Sequence, residues 1–467
     1  MLKKNNTLEI EFQSFDDIVS YFNHNEYSGS IDLNKLYICK QEILIRCFEF
    51  LLTIENLKLT ADKDQVLYSK KELIRNLIIL FVSKKYKIIG SGIIDVNDES
   101  SYAFIRLFVD NTIYGAVSHV ISEDIFISGK IVKKYGIRKG DEILYSIDEP
   151  GSAEKRSSIN EILQINRKEI NKYNFNKRPR FNECRSCHPY ERINFANTPI
   201  NKNTDIVLLR TIDLLAPAGF GQRALIYAPP KCGKTYLFMQ LAESILNQYN
   251  NVKMFILLVG ERPEEITGVF NLLGKKARIF FSDFSESHTR HIYVVEACIE
   301  HAKRLCEMGE NVVIFMDSLT RLARAYNAGS PHTGKSLSGG LDAVALHYTK
   351  TIFGTARKTI EAGSITIYAT SLVEMGGSKL EEIVNQEGTS VSNCDIKLKH
   401  GKPNIDSQSS TRMFHLLCKD EKEVQALNNM RSFIKYNNNN SMVILTEMIK
   451  ETKNNKELFD NRFNSNM

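Results

Sequence analysis

No apolar stretch in the 467-residue sequence approaches the roughly eighteen residues needed to cross a bilayer, so no membrane span is expected. The opening residues, MLKKNNTLEIEFQSFDD, carry two lysines but no apolar run behind them, so no secretory leader is read. Nine cysteines at this length lack the spacing of a small disulfide scaffold. They read as reduced thiols, and the protein as cytoplasmic. The formal net charge is only +6, too mild by itself to single out a nucleic-acid partner. Cys184-Arg-Ser-Cys187-His188 has the spacing of a haem attachment site, yet nothing suggests export, and a lone C-x-x-C lacks the second pair a structural zinc needs. Both metal readings are set aside. What remains is an ordinary globular composition, 43% hydrophobic and 25% charged, long enough for two or three domains.

Four segments differ in texture. Residues 1–89 read as a small helical module, with Leu73, Leu77, Ile78 and Leu80 near helical spacing. Residues 90–150 hold short strand patterns, GSGIIDV, SYAFIRLFV, DIFISGKIV and DEILYSI, separated by turn residues; a small barrel of the OB-fold type fits them. Tyr102, Phe104 and Arg106 alternate, so all three project from one strand face. Such a face either stacks single-stranded bases or fills the barrel core. Lys130, Lys133, Lys134, Arg138 and Lys139 follow and suit a phosphate backbone. Residues 151–203, rich in Asn, Lys and Arg, read as a linker. From 204 to 467 strands and helices alternate, the pattern of a parallel α/β sheet, with candidate strands at 224–227, 254–259, 312–316 and 364–369. After a short Asn-rich break, 441–460 reads as one closing helix.

The chemistry gathers around Ala228-Pro-Pro-Lys-Cys-Gly-Lys-Thr235, set between an apolar strand and an amphipathic helix carrying Phe238, Leu241, Ala242 and Ile245. Successive N–H groups at a helix N-terminus converge on a polyphosphate. Lys234 would neutralise its outer phosphates, and Thr235 would hold Mg²⁺. The general pattern begins with Gly, one residue more than Ala228 offers. The strand VVIFM ends in Asp317, the natural partner of Thr235 at the metal. A second strand ends in Glu261, placed either to activate water as a general base or to cap the helix that follows. Two polar loops, NAGSPHTGKSLSGG around Lys335 and EMGGSK ending in Lys379, suit a sliding polymer or are ordinary surface.

Several stretches together resemble the transcription termination factor Rho family: GFGQRALIYAPPKCGKT, ERPEEITGVF, DSLTRLARAYNAGSPHTGKSLSGGLDA, FGTARKTIEAGSITIYATSL and the GSK loop. The likeness is dense over 205–400 and thinner in SGIIDV, SYAFIR, DIFIS, IRKGDEI and HPYER; the first sixty-five residues scarcely match. Ala228 is itself the family's form of the loop. The resemblance implies a RecA-like P-loop ATPase domain with an OB-fold RNA-binding domain and a small helical N-terminal module. It implies a homohexamer that uses ATP and Mg²⁺ to translocate on single-stranded RNA and release transcripts from the RNA polymerase elongation complex. It assigns Lys231, Cys232, Gly233, Lys234 and Thr235 to ATP, Asp317 and Thr235 to the metal, and Glu261 to catalysis. It also assigns Tyr102, Phe104, Arg106, Lys335 and Lys379 to RNA, and Arg412 to an arginine finger reaching a neighbour's γ-phosphate. The sequence departs from the family at several points. Gly260 replaces Asp beside Glu261, the loop before Lys379 carries an extra glycine, the chain after Leu398 is shortened, and Ser101 and Ala103 replace glycines. Two of these departures, Gly260 and the shortening, motivate an alternative: an RNA-binding protein with a vestigial motor.

Overall fold

The computed structural model describes residues 12–54, 69–96, 102–107, 112–113, 125–147, 158–274, 276–329, 342–373, 379–399, 404–436 and 440–463. They fall into two compact units divided near residue 178, except that 112–113 belong to the second unit, where they pair with Ile279 and Phe280.

The first unit opens with helices Phe15–Phe22, Leu33–Ile38, Gln41–Ile54 and Lys70–Ser83. Two of them start with reciprocal caps: the Ser14 hydroxyl accepts from the Asp17 N–H while the Asp17 carboxylate accepts from the Ser14 N–H, and Ser69 and Glu72 repeat the arrangement. In the fourth helix Leu73, Leu77 and Ile78 are buried as their spacing predicts, and Ile74 and Phe81 complete the stripe while Leu80 lies at its margin. A sheet is built around Lys87–Val96, which pairs antiparallel with Tyr102–Leu107 and Glu142–Ile147 and parallel with Ser30–Asp32. Ile125–Ser128 extends it beyond Tyr102–Leu107.

Two expectations change here. The pattern DIFISGKIV is a strand only to Ser128; Gly129–Tyr135 is a helix, closed by Gly136 in the left-handed conformation at φ 61°. The stretch 151–203 is not a linker throughout. Glu161–Ile165 adds an antiparallel strand beside Glu142–Ile147 and buries Ile162 and Ile165, so the sheet runs past residue 150. Residues 178–203 belong to the second unit, where Phe181, Ile193 and Phe195 are buried and the Phe181 N–H donates to Glu307. Polar residues on the exposed side of these short segments hid their apolar contacts.

The second unit is a parallel sheet in which Arg223–Ala228 lies between Cys394–Lys399 and Ser364–Leu372. Asn311–Asp317 follows, then Lys253–Glu261 and Arg278–Asp283. All four sequence-predicted strands are present. Among the unforeseen strands, Arg278–Asp283 and Cys394–Lys399 are short and half polar. The helix Lys234–Gln248 buries Leu241, Ala242 and Ile245 completely, and Phe238 meets Phe315 ring to ring at 5.2 Å. The expected closing helix is two helices, Ser441–Glu451 and Asn455–Arg462; the Asn454 side chain caps the second and so interrupts the first. Parallel strands deliver their C-terminal ends to one edge, and Ala228, Glu261 and Asp317 all stand there.

Candidate active site and aromatic strand face

The loop after Ala228 turns through Lys231 at φ 57°, a left-handed conformation uncommon for a residue with a Cβ, and Gly233 at φ 80°, which glycine adopts without strain. Gly233 is the N-cap of the helix Lys234–Gln248, and no side chain caps it. The backbone donors of this first turn are thus left to a ligand, at the positive end of the helix dipole. Cys232 is only 1% exposed, and burial raises its thiol pKa, so it acts as packing rather than as a nucleophile. Thr235 is exposed; with Glu261 and Asp317 it lines one cavity beneath the loop. Uncapped N–H groups, a lysine and hard oxygen donors together fit a nucleotide polyphosphate with a divalent cation.

The strand ends supply the charge. Asp317 accepts from Lys234 Nζ at 2.9 Å and from the Thr370 hydroxyl at 2.7 Å. Glu261 is 1% exposed, accepts from Lys234 Nζ at 3.3 Å, and is ion-paired with the Arg321 guanidinium. Burial raises the Glu261 pKa, and the Asp317 carboxylate pushes the same way against the two cations. For Lys234 burial works downward, but Asp317 and Glu261 outweigh it and the pKa is raised. The cap alternative for Glu261 fails: the next helix, Pro263–Leu273, has Arg262 at its N-cap, without a side-chain cap. Gly260 sits at φ 60°, and a Cβ there would rest 3.6 Å from the His291 ring and 3.8 Å from Arg321 Cδ. The family's missing Asp therefore leaves the surrounding geometry open rather than broken. Arg321 and Thr370 went unnoticed in the sequence; only the placement of Arg321 four residues after Asp317, in the first turn of a helix, hinted at it.

Arg412 does not join this cluster within its own subunit. Its N–H donates to the Asn393 carbonyl at 2.9 Å, and its guanidinium to the Thr389 carbonyl at 3.2 Å. Neighbouring Thr411 pairs with Cys394, which pairs with Ala224 at the start of the phosphate-loop strand. At about 3.3 Å per residue, the start lies some 13 Å from Ala228. Lys379 is exposed at the first position of the helix Lys379–Val391. Lys335 lies outside the described residues.

In the first unit Ala103 and Ile105 are fully buried, while Tyr102 is 44% exposed and Phe104 and Arg106 are half-buried on the opposite face. The core-filling alternative for the aromatics is thereby excluded. Ala103, one of the two glycine replacements, packs inward and does not alter that face. Phe126, which the sequence reading passed over although it alternates with Ile125 and Ile127, pairs across the strands with Phe104. Tyr102, Phe104 and Phe126 form a ring cluster with centroids 5.4, 5.8 and 6.2 Å apart. Arg106 is fixed beside them by Asp95 at 3.3 Å. Cys184 and Cys187 are free thiols, and no metal-ligand cluster occurs among the described residues. Nor, among these residues, is any helix long and apolar enough to cross a membrane.

Comparison with known proteins agrees with both halves. Residues 209–408 match the nucleotide-binding domain of the ATP synthase alpha/beta family, and residues 90–171 match the Rho termination factor RNA-binding domain. Transcription termination factor Rho of Streptobacillus moniliformis is 34% identical over 423 residues, 88% of this chain and 95% of that protein. Transcription termination factor Rho 1 of Ehrlichia chaffeensis is 36% identical over 84% of this chain and 92% of its own length. The Borreliella burgdorferi factor is 33% identical over 96% of this chain and 84% of its own.

Proposed function

The chain belongs to the transcription termination factor Rho family, and from that premise we propose how its residues couple ATP hydrolysis to work on RNA. It is an RNA-binding, ATP-hydrolysing termination factor, with the motor in its second unit. Lys234, now shared between Asp317 and Glu261, would exchange these carboxylates for the phosphates of ATP. That exchange frees Glu261 to orient the attacking water and take its proton. Backbone N–H groups of 231–235 would hold the phosphates while Cys232 and Gly233 keep the loop's path. Mg²⁺, held by Thr235 and Asp317, would when bound neutralise charge on the phosphate oxygens. Arg412, remote from its own phosphate loop, would complete the site of the next copy in a homohexamer, so that turnover requires a ring. Tyr102, Phe104 and Arg106 would capture single-stranded RNA, while Lys335 and Lys379 would grip it during the translocation that releases the transcript from the RNA polymerase elongation complex.

The observation that carries this reading is that Thr235, Glu261 and Asp317 line one cavity and Lys234 is ion-paired with both carboxylates, with Arg412 at the far end of the sheet. The test is steady-state ATP hydrolysis with and without poly(C) RNA, in the natural protein and in Arg412→Ala. RNA should stimulate turnover strongly, and the substitution should abolish the stimulation. Stimulation that survives moves the finger elsewhere. RNA binding without RNA-dependent turnover would overturn the motor.

A further inference from the structure

Beside Arg412, at the start of the phosphate-loop strand, lies a cavity of about 180 Å³ that the mechanism above does not use. Its lining includes Arg223, Arg412, His188, Gln222 and Asn393, and no carboxylate. Arg223 is half-buried, its Nε donating to the Val391 carbonyl at 2.8 Å and its Nη1 to the Ala356 carbonyl at 2.9 Å. Among the described residues neither Arg223 nor Arg412 has an ion-pair partner. Nearby Asp395 instead accepts from the Ser392 hydroxyl at 2.6 Å and, more weakly, from Tyr227. Arg223 thus keeps its charge while burial, Arg357 and Arg412 all oppose it. Guanidinium groups gathered without a carboxylate repel one another, and a bound anion would relieve that repulsion.

We propose that this cavity is a phosphate-binding pocket in which Arg223 and His188 join Arg412 in holding the terminal phosphate of a polyphosphate. The forked guanidinium matches phosphate oxygens two at a time, which a carbonyl-tethered, pre-oriented Arg223 does without reorganisation. The phosphate has two possible sources. One is the nucleotide of the adjoining copy, which rests on Arg412 acting across the interface. The other is a free inorganic polyphosphate.

The experiment uses the full chain with Lys234→Ala, so that the phosphate loop is disabled, titrated calorimetrically with tripolyphosphate at about 0.1 M salt. Binding should be detectable and should weaken at least about tenfold on adding Arg223→Gln, less with Arg223→Lys, which keeps charge but loses the fork. Because Arg223→Gln also removes two backbone tethers, His188→Gln serves as a second probe that breaks none of them and should weaken binding as well. Unchanged binding in the Arg223→Gln and His188→Gln forms, or none in the Lys234→Ala form, overturns the pocket. Mixing Arg223→Gln subunits with Lys234→Ala subunits then identifies the source. Turnover above the sum of the two parents assigns the phosphate to a neighbour's nucleotide. No gain, together with a tripolyphosphate effect on turnover in the natural protein and none in Arg223→Gln, assigns it to free polyphosphate. Loss of activity in Arg412→Ala beside normal tripolyphosphate binding in Arg223→Gln sinks the pocket and leaves the trans-arginine reading standing. The reverse pattern does the opposite.

Discussion

Glu261 concentrates the residue-scale chemistry. A carboxylate this deeply buried is a stronger base than one in water, but Lys234 and Arg321 hold it, and in the proposed mechanism phosphate draws the lysine away. Glu261→Gln should leave nucleotide binding intact, measured with a fluorescent ATP analogue, and lower kcat by about two to four orders of magnitude. Since the Glu261 pKa is raised, the acid limb of the pH–rate profile should fall above the ordinary carboxylate range near 4.3, and it should be absent from the Gln variant's residual rate. A second carboxylate bears on stability. Asp213 is fully buried, accepts from the Phe195 and Ala196 N–H groups, and has its pKa pushed up to about 6 by burial. With its folded pKa above the unfolded value, its stabilising contribution is complete in acid and is lost as pH rises through about 6. Relative to Asp213→Asn, the natural protein should therefore gain on the order of 1 kcal/mol between pH 7 and pH 5, read from denaturant midpoints.

Among the elements, the strand Tyr102–Leu107 divides its labour by alternation: Ala103 and Ile105 are buried in the core of the first unit, and Tyr102 and Phe104 face out. Replacing Tyr102, Phe104 or Phe126 by Ala should each weaken binding of single-stranded RNA by about 1–3 kcal/mol. The melting temperature should move little for Tyr102. Ile105→Ala should do the converse, costing about 2–5 kcal/mol of stability through the cavity it leaves. This alternation was legible because a strand's period of two is local, as was the helix of Phe238, Leu241 and Ile245 with its period of 3.6. The elements that escaped notice were those whose sequence speaks weakly. Glu161–Ile165 and Cys394–Lys399 carry polar residues on one side, Gly129–Tyr135 is a single short helix after a strand, and Thr452 to Asn454 break what reads as one continuous helix.

For the whole molecule, the decisive fact is the order of strands. The phosphate-loop strand lies beside Cys394–Lys399, so the residue before Arg412 is anchored at the end of the sheet remote from Lys234. That placement, away from its own phosphate loop, is what motivates the proposed role of Arg412 in a neighbour's site. Mixing Arg412→Ala subunits with Lys234→Ala subunits should therefore raise RNA-stimulated ATP hydrolysis above the sum of the two parents, because some interfaces then pair an intact phosphate loop with a neighbour's intact arginine. No gain would assign the arginine to its own subunit. If the proposed ring forms the active site, turnover per subunit should also fall as the protein is diluted below the concentration that maintains it.

What the sequence determined by itself is the short-range chemistry: the phosphate loop at the head of a helix, carboxylates closing two apolar strands, and aromatics alternating along a third. Each depends on residues within a turn or a strand of one another, so spacing alone specifies it. The tertiary structure decided which distant groups meet: Arg321 on Glu261, Thr370 on Asp317, Phe126 against Phe104, and Arg223 beside Arg412. Those meetings follow from the order in which strands assemble to bury both faces of a parallel sheet, a property of the whole apolar surface that no local run of residues contains.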